Sequence, residues 1–363
     1  MTAPRVFGLD ALRALAVCLV LLAHCSFLFV PYTGAGPLQA WLMLGHLGVE
    51  LFFVLSGFLI GGILLDGARP DGGWVGGFWR RRWLRTLPNY YLFLAANILI
   101  ERWVSGQWPS AWLYAVFAQN LAWPQPPFFI ESWSLAVEEI FYLCAPLVAI
   151  VALRWIKAEW RMAALIALML GLTAVRWLYV ASRDPAWDGG VRMVSAVRLD
   201  AIAYGVMMVM ADRRGYFAGA RARLVAVLGT FVLALAITAY LTLDLDHSTF
   251  ARTALFSLIS LAFAAWLPAA ARWFVSDTGA WWAKSVSRMA AWSYALYLTQ
   301  LAVLRVLVLG FGWRAADAST ALPQALAFAT LAIALAALVY RVYERPWLRL
   351  RERWQPRTLT PSR

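Results

Sequence analysis

The chain has 363 residues, of which 63% are hydrophobic and only 14% are charged. Soluble domains hold about half apolar and about a quarter charged residues, so this composition excludes an ordinary soluble protein. The apolar runs are continuous and about twenty residues long, which predicts an all-α, polytopic transmembrane helical bundle rather than a transmembrane barrel. The net charge of +13 lies mostly in short loops between these runs, a pattern typical of membrane topology and not of nucleic-acid binding.

Ten apolar runs predict ten helical spans that contact the lipid bilayer. They fall at 9–30, 46–65, 86–104, 134–153, 162–181, 194–211, 224–243, 252–271, 289–311 and 322–343. The runs at 86–104 and 194–211 are short or carry charge, and the last run begins beside Pro323. The stretch 109–130 is rich in Trp, Pro and Phe, which is compatible with a loop or with a short re-entrant or interfacial helix.

An even number of spans puts both termini on one side of the membrane, and the basic residues indicate which side. Of the 32 Lys and Arg residues, 23 lie on the side of the termini and six on the opposite side. Because cytoplasmic loops carry an excess of Lys and Arg, both termini are expected in the cytoplasm. The run 9–30 is expected to be retained as the first span. We expect a transmembrane domain at 1–350 and a basic cytoplasmic tail at 351–363.

The positions of the cysteines and the absence of a phosphate-binding loop argue against several classes of site. Cys18, Cys25 and Cys144 lie inside apolar runs without metal-ligand spacing, so neither a metal cofactor nor a disulfide framework is expected. No phosphate-binding Gly-Lys-Ser loop occurs in the sequence, which disfavours an ATP-driven pump. An ionisable group in the hydrocarbon region costs roughly a few kcal/mol, so the charges inside the spans are the functional candidates.

The first span carries Asp10, Arg13 and His24. Arg13 and His24 are eleven residues apart, which is about three helical turns, so they share one face of the helix and lie roughly 16 Å apart along its axis. Arg13 is therefore expected near the cytoplasmic mouth and His24 beyond the midplane. Arg13 is suited to hold an anion and His24 to move protons. The alternative is that Arg13 extends to the headgroups and His24 bonds a carbonyl.

Four arginines, Arg80, Arg81, Arg82 and Arg85, lie within six residues after the second span. This density exceeds what membrane orientation requires. Guanidinium groups bind phosphate in a bidentate manner, so the cluster predicts a site for a phosphate-bearing cofactor that enters from the cytoplasm. The alternative is contact with lipid headgroups.

Polar residues also occur within the second span. Glu50 is expected in its outer half, and Ser56 and Gly57 follow on the same span. The two small residues allow a ligand or another helix to approach closely. Helix packing is the alternative to a binding role for this pair.

The segment from Glu131 to Tyr142 opens the fourth span with several polar residues. Ser132 or Ser134 is a candidate to cap the helix. Glu138 and Glu139 are adjacent, so they point about 100° apart and cannot act as one dyad. At least one of them is expected to face a polar interior.

These segments together resemble the acyltransferase 3 family of bacterial membrane O-acyltransferases. Arg13 and His24 match that family's arginine, ten residues, histidine signature. The other matching segments are Gly48 to Ile60, Phe78 to Arg82 with Arg85 and Pro88, Ser132 to Tyr142, Arg198 to Gly205, Ser293 to Tyr297, and Tyr343 to Pro346. The resemblance covers nearly the whole chain in the expected order.

The resemblance implies a multi-pass enzyme of the bacterial cytoplasmic (inner) membrane that moves an acyl group, such as acetyl, from cytoplasmic acyl-coenzyme A to a hydroxyl of a glycan or another acceptor. His24 would be the general base or a transient acyl carrier, with Glu138 or Glu139 holding its tautomer. The residues assigned to the donor are Arg13, Arg80, Arg81, Arg82, Arg85, Ser56 and Gly57. The residues assigned to the acceptor are Asp10, Glu50, Trp133, Ser134, Arg198 and Asp200.

The chain departs from the family pattern in two places. Many relatives carry a histidine shortly after the Ser-Tyr-x-x-Tyr segment, where this chain has Thr299 and Gln300. The chain also ends soon after its last span, so acceptor attack is expected at the membrane core or in a separate protein. The alternative functions are a transporter or flippase for an anionic lipid-linked sugar, acylation of a small antibiotic-like acceptor, and a non-catalytic assembly or sensor subunit.

Overall fold

The computed structural model describes residues 6–33, 36–276, 279–313, 315 and 317–353. The regular secondary structure of these residues consists of helices and includes no strand, so the predicted all-α class is confirmed. The helices are α1 (Phe7–Thr33), α2 (Pro37–Met43), α3 (Leu47–Gly67), α4 (Val75–Ser105), α5 (Trp112–Ala115), α6 (Ser132–Trp155), α7 (Arg161–Arg183), α8 (Leu199–Arg213), α9 (Arg221–Thr242), α10 (Thr249–Arg252), α11 (Ala254–Ala264), α12 (Leu267–Ala270), α13 (Trp281–Arg305), α14 (Ala318–Val339) and α15 (Arg345–Arg353).

Each of the ten predicted runs overlaps one or more of these helices. Within the described residues, seven helical segments are long and apolar enough to cross a membrane. They are Phe7–Leu28, Gln39–Gly67, Ser132–Trp155, Arg161–Arg183, Arg221–Thr242, Trp281–Gly310 and Ser319–Arg353. The other three runs fall on the arginine-rich α4, on the 15-residue α8 and on the broken segment α10 to α12. The count of ten spans and the side of the termini stay predictions.

The stretch 109–130 forms a loop with a single helical turn, α5. Its prolines remove backbone donors and so prevent a longer helix. Side chains tie the loop to its neighbours: the Tyr90 hydroxyl donates to the Tyr114 carbonyl at 2.8 Å, and the Asn120 amide donates to the Met193 carbonyl at 2.6 Å. The interpretation as a loop is therefore correct, and neither a re-entrant nor an interfacial helix longer than α5 forms here.

Helix α3 lies at the centre of the bundle and packs most extensively against α8. A Cβ placed on Gly57 would lie 1.8 Å from the Ile202 carbonyl oxygen, and one on Gly205 would lie 2.0 Å from that of Val54. Only glycine allows two helix backbones to approach this closely. Helix α1 packs against α3 on one side and α13 on the other, and α13 packs against α14. This arrangement brings α1, α3, α4, α6 and α13 around one interior space.

The helix α15 runs without interruption through the expected boundary at 350/351. It packs against α4 and is the last described element. The division into a transmembrane domain and a tail stays a prediction, and its residues 354–363 lie outside the described residues.

Candidate active site

Two adjoining cavities open at the end of the bundle where α1 begins and α15 lies. The outer cavity has a volume of about 480 Å³ and the inner cavity about 240 Å³. Both are lined by Arg13, Leu59, Arg85 and Arg351, so these residues form the neck between them. The cavities together lead from the arginine-rich end of the bundle toward its interior.

Two arginines of this neck, Arg85 and Arg351, lie close to Arg82 of the inner cavity. The charge of Arg85 is near enough to those of Arg82 and Arg351 for the three guanidinium groups to repel one another. Within the described part of the chain, Arg85 forms no hydrogen bond and no ion pair, whereas Arg13 pairs with Asp10 at 3.2 Å. Like charges held together in this way are stabilised by an anion between them, and phosphate matches the guanidinium geometry.

Glu138 is fixed at the wall of the inner cavity. The Ser56 hydroxyl donates to Glu138 Oε1 at 2.8 Å, and the Tyr142 hydroxyl donates to Glu138 Oε2 at 2.9 Å. The Arg82 guanidinium donates to the Tyr142 hydroxyl and lies 4.0 Å from the centre of the Tyr142 ring. Glu139 points away from this group toward Thr86 of α4, as the helical geometry predicts for adjacent residues. Of the two glutamates, Glu138 alone lines the cavity.

The inner end of the cavity is closed by Ser134 and Tyr297. Their hydroxyl oxygens are 2.7 Å apart, and the Tyr297 hydroxyl donates to the Glu131 carbonyl at 3.0 Å. The neighbouring Trp133 packs edge-on against Phe53, with ring centres 5.7 Å apart. This wall is therefore polar at the hydroxyl pair and aromatic beside it.

His24 lies on α1 next to Gln300 of α13. Gln300 is three residues beyond Tyr297, or about 4.5 Å along the helix axis, so His24 lies just past the inner end of the cavity. His24 Nδ1 and Gln300 Oε1 are both buried and have no hydrogen-bond partner among the described residues. Glu138 and Glu139, predicted to hold the imidazole, contact other side chains, and the residue next to His24 is Gln300 instead.

A further arginine, Arg192, completes the surroundings of His24. Its charge is close enough to act on the His24 ring. The guanidinium lies 5.0 Å from the Trp133 ring centre and 5.8 Å from that of Trp187, and it pairs with Asp188 at 2.5 Å. Trp133, predicted to contact the acceptor, therefore lies between the cavity wall and this arginine.

Three further predicted acceptor residues form buried ion pairs away from both cavities. Arg198 pairs with Glu50, and Asp200 pairs with Arg176 at 2.8 Å. The Arg198 and Arg176 side chains are both completely buried. The pairs join α8 to α3 and α7, so helix packing accounts for these charges. The predicted contact of Glu50, Arg198 and Asp200 with an acceptor stays a prediction.

The remaining predicted residues divide between the cavities and other positions. Asp10 lines the outer cavity, and Ser56 lines the inner one. Gly57 faces α8, whose backbone fills the space that a ligand would need. Arg80 is exposed and Arg81 is half-buried, and neither lines a cavity.

Several cavity residues were missed by the sequence analysis. Arg345, Arg349 and Arg351 line the outer cavity, but the arginines after the last span were interpreted as a topology signal or a tail. Their spacing of four residues between Arg345 and Arg349, which puts both on one helix face, was the available signal. For Gln300 and Arg192 no signal existed, because their role depends on which helices face each other.

Comparison with known proteins identifies the family. Residues 6–341 match the sequence profile described as an acyltransferase domain. The peptidoglycan O-acetyltransferase OatA of Listeria monocytogenes is 31% identical over 201 residues, which cover 49% of this chain and 30% of that protein. The acyltransferase MdmB of Streptomyces mycarofaciens is 29% identical over 390 residues, which cover 99% of this chain and 95% of that protein.

These matches differ in extent. The chain spans less than a third of the length of the Listeria relative, but nearly all of the Streptomyces one. No solved structure matches the chain. The profile match extends over most of the chain, including both cavities up to α14 and the region around His24. The chain therefore belongs to the acyltransferase 3 family.

Proposed function

We propose that this protein transfers an acyl group, in the simplest case acetyl, from cytoplasmic acyl-coenzyme A to a hydroxyl on the opposite face of the inner membrane. The observation that carries the proposal is the pair of adjoining cavities, which run from an arginine-rich mouth to Ser134 and Tyr297, beside His24. Family membership supports the reaction class. The excess of Lys and Arg on the side of the termini supports a cytoplasmic location for the mouth.

The donor fits the order of groups along the cavities. Coenzyme A joins a charged nucleotide to a long, uncharged pantetheine arm that ends in the thioester. The diphosphate would lie at the neck between Arg85 and Arg351 and close to Arg82, three guanidinium groups that repel one another. The arm would extend into the inner cavity, along Phe52 and past Ser56. The thioester would then lie near His24.

The proposed chemistry requires one proton carrier. His24 takes the proton from the acceptor hydroxyl, whose oxygen attacks the thioester carbon. The new C–O bond forms as the C–S bond breaks, and the imidazolium returns its proton to the departing thiolate. Imidazole suits this exchange because it accepts and donates a proton near neutral pH. Gln300 would orient the ring by accepting from Nδ1, which leaves Nε2 to act as the base.

The same geometry is compatible with His24 as a transient acyl carrier. In that case the imidazole attacks the thioester first and the acceptor hydroxyl displaces the acyl group afterwards. Rapid mixing without an acceptor distinguishes the two routes. A burst of coenzyme A equal to the amount of protein indicates the carrier, and its absence indicates the general base.

The proposal is tested with the full-length protein in lipid nanodiscs and labelled acetyl-coenzyme A. The reaction is followed as coenzyme A release and as label in a glycan fraction. We expect His24→Ala to lower the rate by about 10²- to 10⁴-fold, because a positioned proton carrier contributes that much. His247→Ala is the matched control, since the His247 side chain is 83% exposed in a loop.

The outcomes separate the rival functions. Equal, slow release of coenzyme A by wild type and His24→Ala, with glycan present, would refute the enzyme. Movement of a lipid-linked sugar without any acylated product would indicate a flippase instead.

The acceptor is proposed to be an extracytoplasmic or lipid-linked glycan. This choice is supported by the Listeria relative, which is a peptidoglycan O-acetyltransferase. Trp133 and the neighbouring Arg192 provide an aromatic and a cationic surface beside His24. Label recovered in a small hydroxylated molecule rather than in glycan would show that the acceptor is a small antibiotic-like molecule.

A further inference from the structure

The helix α15 presents two arginines to the outer cavity. Arg345 and Arg349 are four residues apart, so they lie on one face of the helix, and both line the outer cavity but not the inner one. Arg351 lies at the neck and lines both cavities. The arginines of α15 thus line both the outer cavity and the neck that leads from it to the inner cavity.

The outer cavity carries a surplus of positive charge. Its arginines are Arg13, Arg85, Arg345, Arg349 and Arg351, and its acids are Asp10, Glu344 and Glu352. Two of the acids are already engaged, since Asp10 pairs with Arg13 and Glu344 accepts from the Asn89 amide at 2.8 Å. A cavity of about 480 Å³ falls within the size range of sites for small molecules and cofactors. These features favour a polyanionic ligand of nucleotide size.

We propose that the outer cavity binds the nucleotide end of the donor and that Arg345 and Arg349 bind its 3′-phosphate. This inference rests on the proposed acyl-coenzyme A donor. In coenzyme A the diphosphate lies between the pantetheine arm and the adenosine, whose ribose carries the 3′-phosphate. With the arm in the inner cavity and the diphosphate at the neck, the 3′-phosphate reaches the outer cavity beside α15. Guanidinium groups four residues apart on one helix face are suited to hold a dianionic phosphate.

Lipid headgroups are the competing ligand for arginines on a helix after the last span. Arg345 and Arg349 are exposed, but they line a cavity together with Leu9 and Asp10 of α1, and this concave position favours the nucleotide. The two ligands differ in one testable respect. Only coenzyme A has a natural analogue, dephospho-coenzyme A, that lacks the 3′-phosphate and keeps everything else.

The experiment measures the affinity of coenzyme A and of dephospho-coenzyme A by titration calorimetry. The full-length protein is held in nanodiscs of neutral phosphatidylcholine. We expect Arg345→Ala/Arg349→Ala to weaken coenzyme A binding about ten- to hundredfold, because charge-assisted hydrogen bonds to phosphate are lost. Binding of dephospho-coenzyme A is expected to change by less than about twofold. Arg353→Ala on the same helix, outside both cavities, is the matched control and is expected to bind both ligands as wild type does.

A second variant distinguishes a loss of phosphate binding from a loss of folding. Arg345→Lys/Arg349→Lys keeps the charges and loses the bidentate geometry, so an intermediate loss confined to coenzyme A is expected. Equal losses for the two ligands, or no loss for either, would overturn the nucleotide assignment. An effect that appears only when anionic phosphatidylglycerol is added would assign the arginines to lipid.

The nucleotide assignment can fail while the proposed acyltransferase function holds, and the two failures give different results. If wild type turns over acetyl-coenzyme A while the double variant treats both ligands alike, only the nucleotide assignment is lost. If wild type neither binds nor turns over coenzyme A, both proposals are lost.

Discussion

Two of the arginine-containing regions of the bundle differ in whether neighbouring side chains neutralise the arginine charge. In the α7–α8 region every guanidinium nitrogen of Arg176 donates: Nε to the Thr253 carbonyl, Nη1 to Asp200 and Nη2 to the Ser257 hydroxyl. At the neck of the cavities, Arg85 has no hydrogen-bond or ion-pair partner among the described residues; it lies near other arginines, and Glu344 attracts it only from beyond ion-pair distance. The first arrangement stabilises the fold, and the second leaves charge available for a ligand.

This difference teaches how to sort charges in membrane helices. An intramembrane ionisable residue is costly wherever it lies, so sequence alone marks both regions as functional. The cost is offset inside the protein in one region, by hydrogen bonds and an opposite charge. In the other it is offset by an open cavity that admits water or an anion. The two classes therefore respond differently to substitution.

The largest expected effect follows from removing the satisfied charge. Arg176→Ala leaves Asp200 buried without its partner, so the free energy of unfolding is expected to fall by about 3–5 kcal/mol. Denaturant unfolding of the purified protein measures this change. The double variant Arg176→Met/Asp200→Asn is expected to recover part of the loss, because no buried charge remains. Wild-type stability of Arg176→Ala would break the comparison.

A second test concerns the close approach of α3 and α8 that holds the buried pairs in place. Gly57→Ala puts a methyl group against the Ile202 carbonyl, so a loss of about 1–3 kcal/mol in unfolding free energy is expected from overpacking. Gly62→Ala on the same helix is the control, since its nearest neighbour is the Val209 side chain at 3.9 Å. Similar stabilities for the two variants would show that the helices move apart at little cost.

The third test addresses the unsatisfied charge. Arg85→Ala removes a repelling cation from the neck, so the unfolding free energy is expected to stay unchanged while coenzyme A affinity falls about tenfold. Calorimetric titration and denaturant unfolding of the same sample measure the two quantities. Arg80→Ala is the control, because Arg80 is exposed and outside both cavities. If Arg85→Ala were destabilised but bound coenzyme A normally, Arg85 would have a structural role like that of Arg176.

The last test concerns a pH dependence outside the spans. Burial raises the pKa of Glu131, which precedes α6, from 4.5 to about 8. The folded state therefore keeps a proton that the unfolded state releases, and stability from this group falls as pH rises between about 4.5 and 8. Glu131→Gln is expected to flatten that part of the stability profile. An unchanged slope in denaturant unfolding between pH 5 and about 8 would contradict this assignment.

The sequence was sufficient where a single helix or a local pattern decides the answer. Apolar runs of membrane length predicted the helical class, and adjacent glutamates on α6 had to point in different directions. The eleven-residue spacing placed Arg13 and His24 at different depths of α1. The arginine density after α3 marked this region, in which Arg85 lines the neck and Arg82 the inner cavity.

Only the tertiary structure decided which charges are neutralised and which partner faces His24. Glu50, Arg198 and Asp200 differ from Arg85 in their neighbours on other helices, and no local pattern encodes those neighbours. The same reason applies to Gln300, which is 276 positions from His24 along the chain. Burial and hydrogen bonding between distant segments are set by helix packing, so the sequence determined the set of costly charges and the fold determined their use.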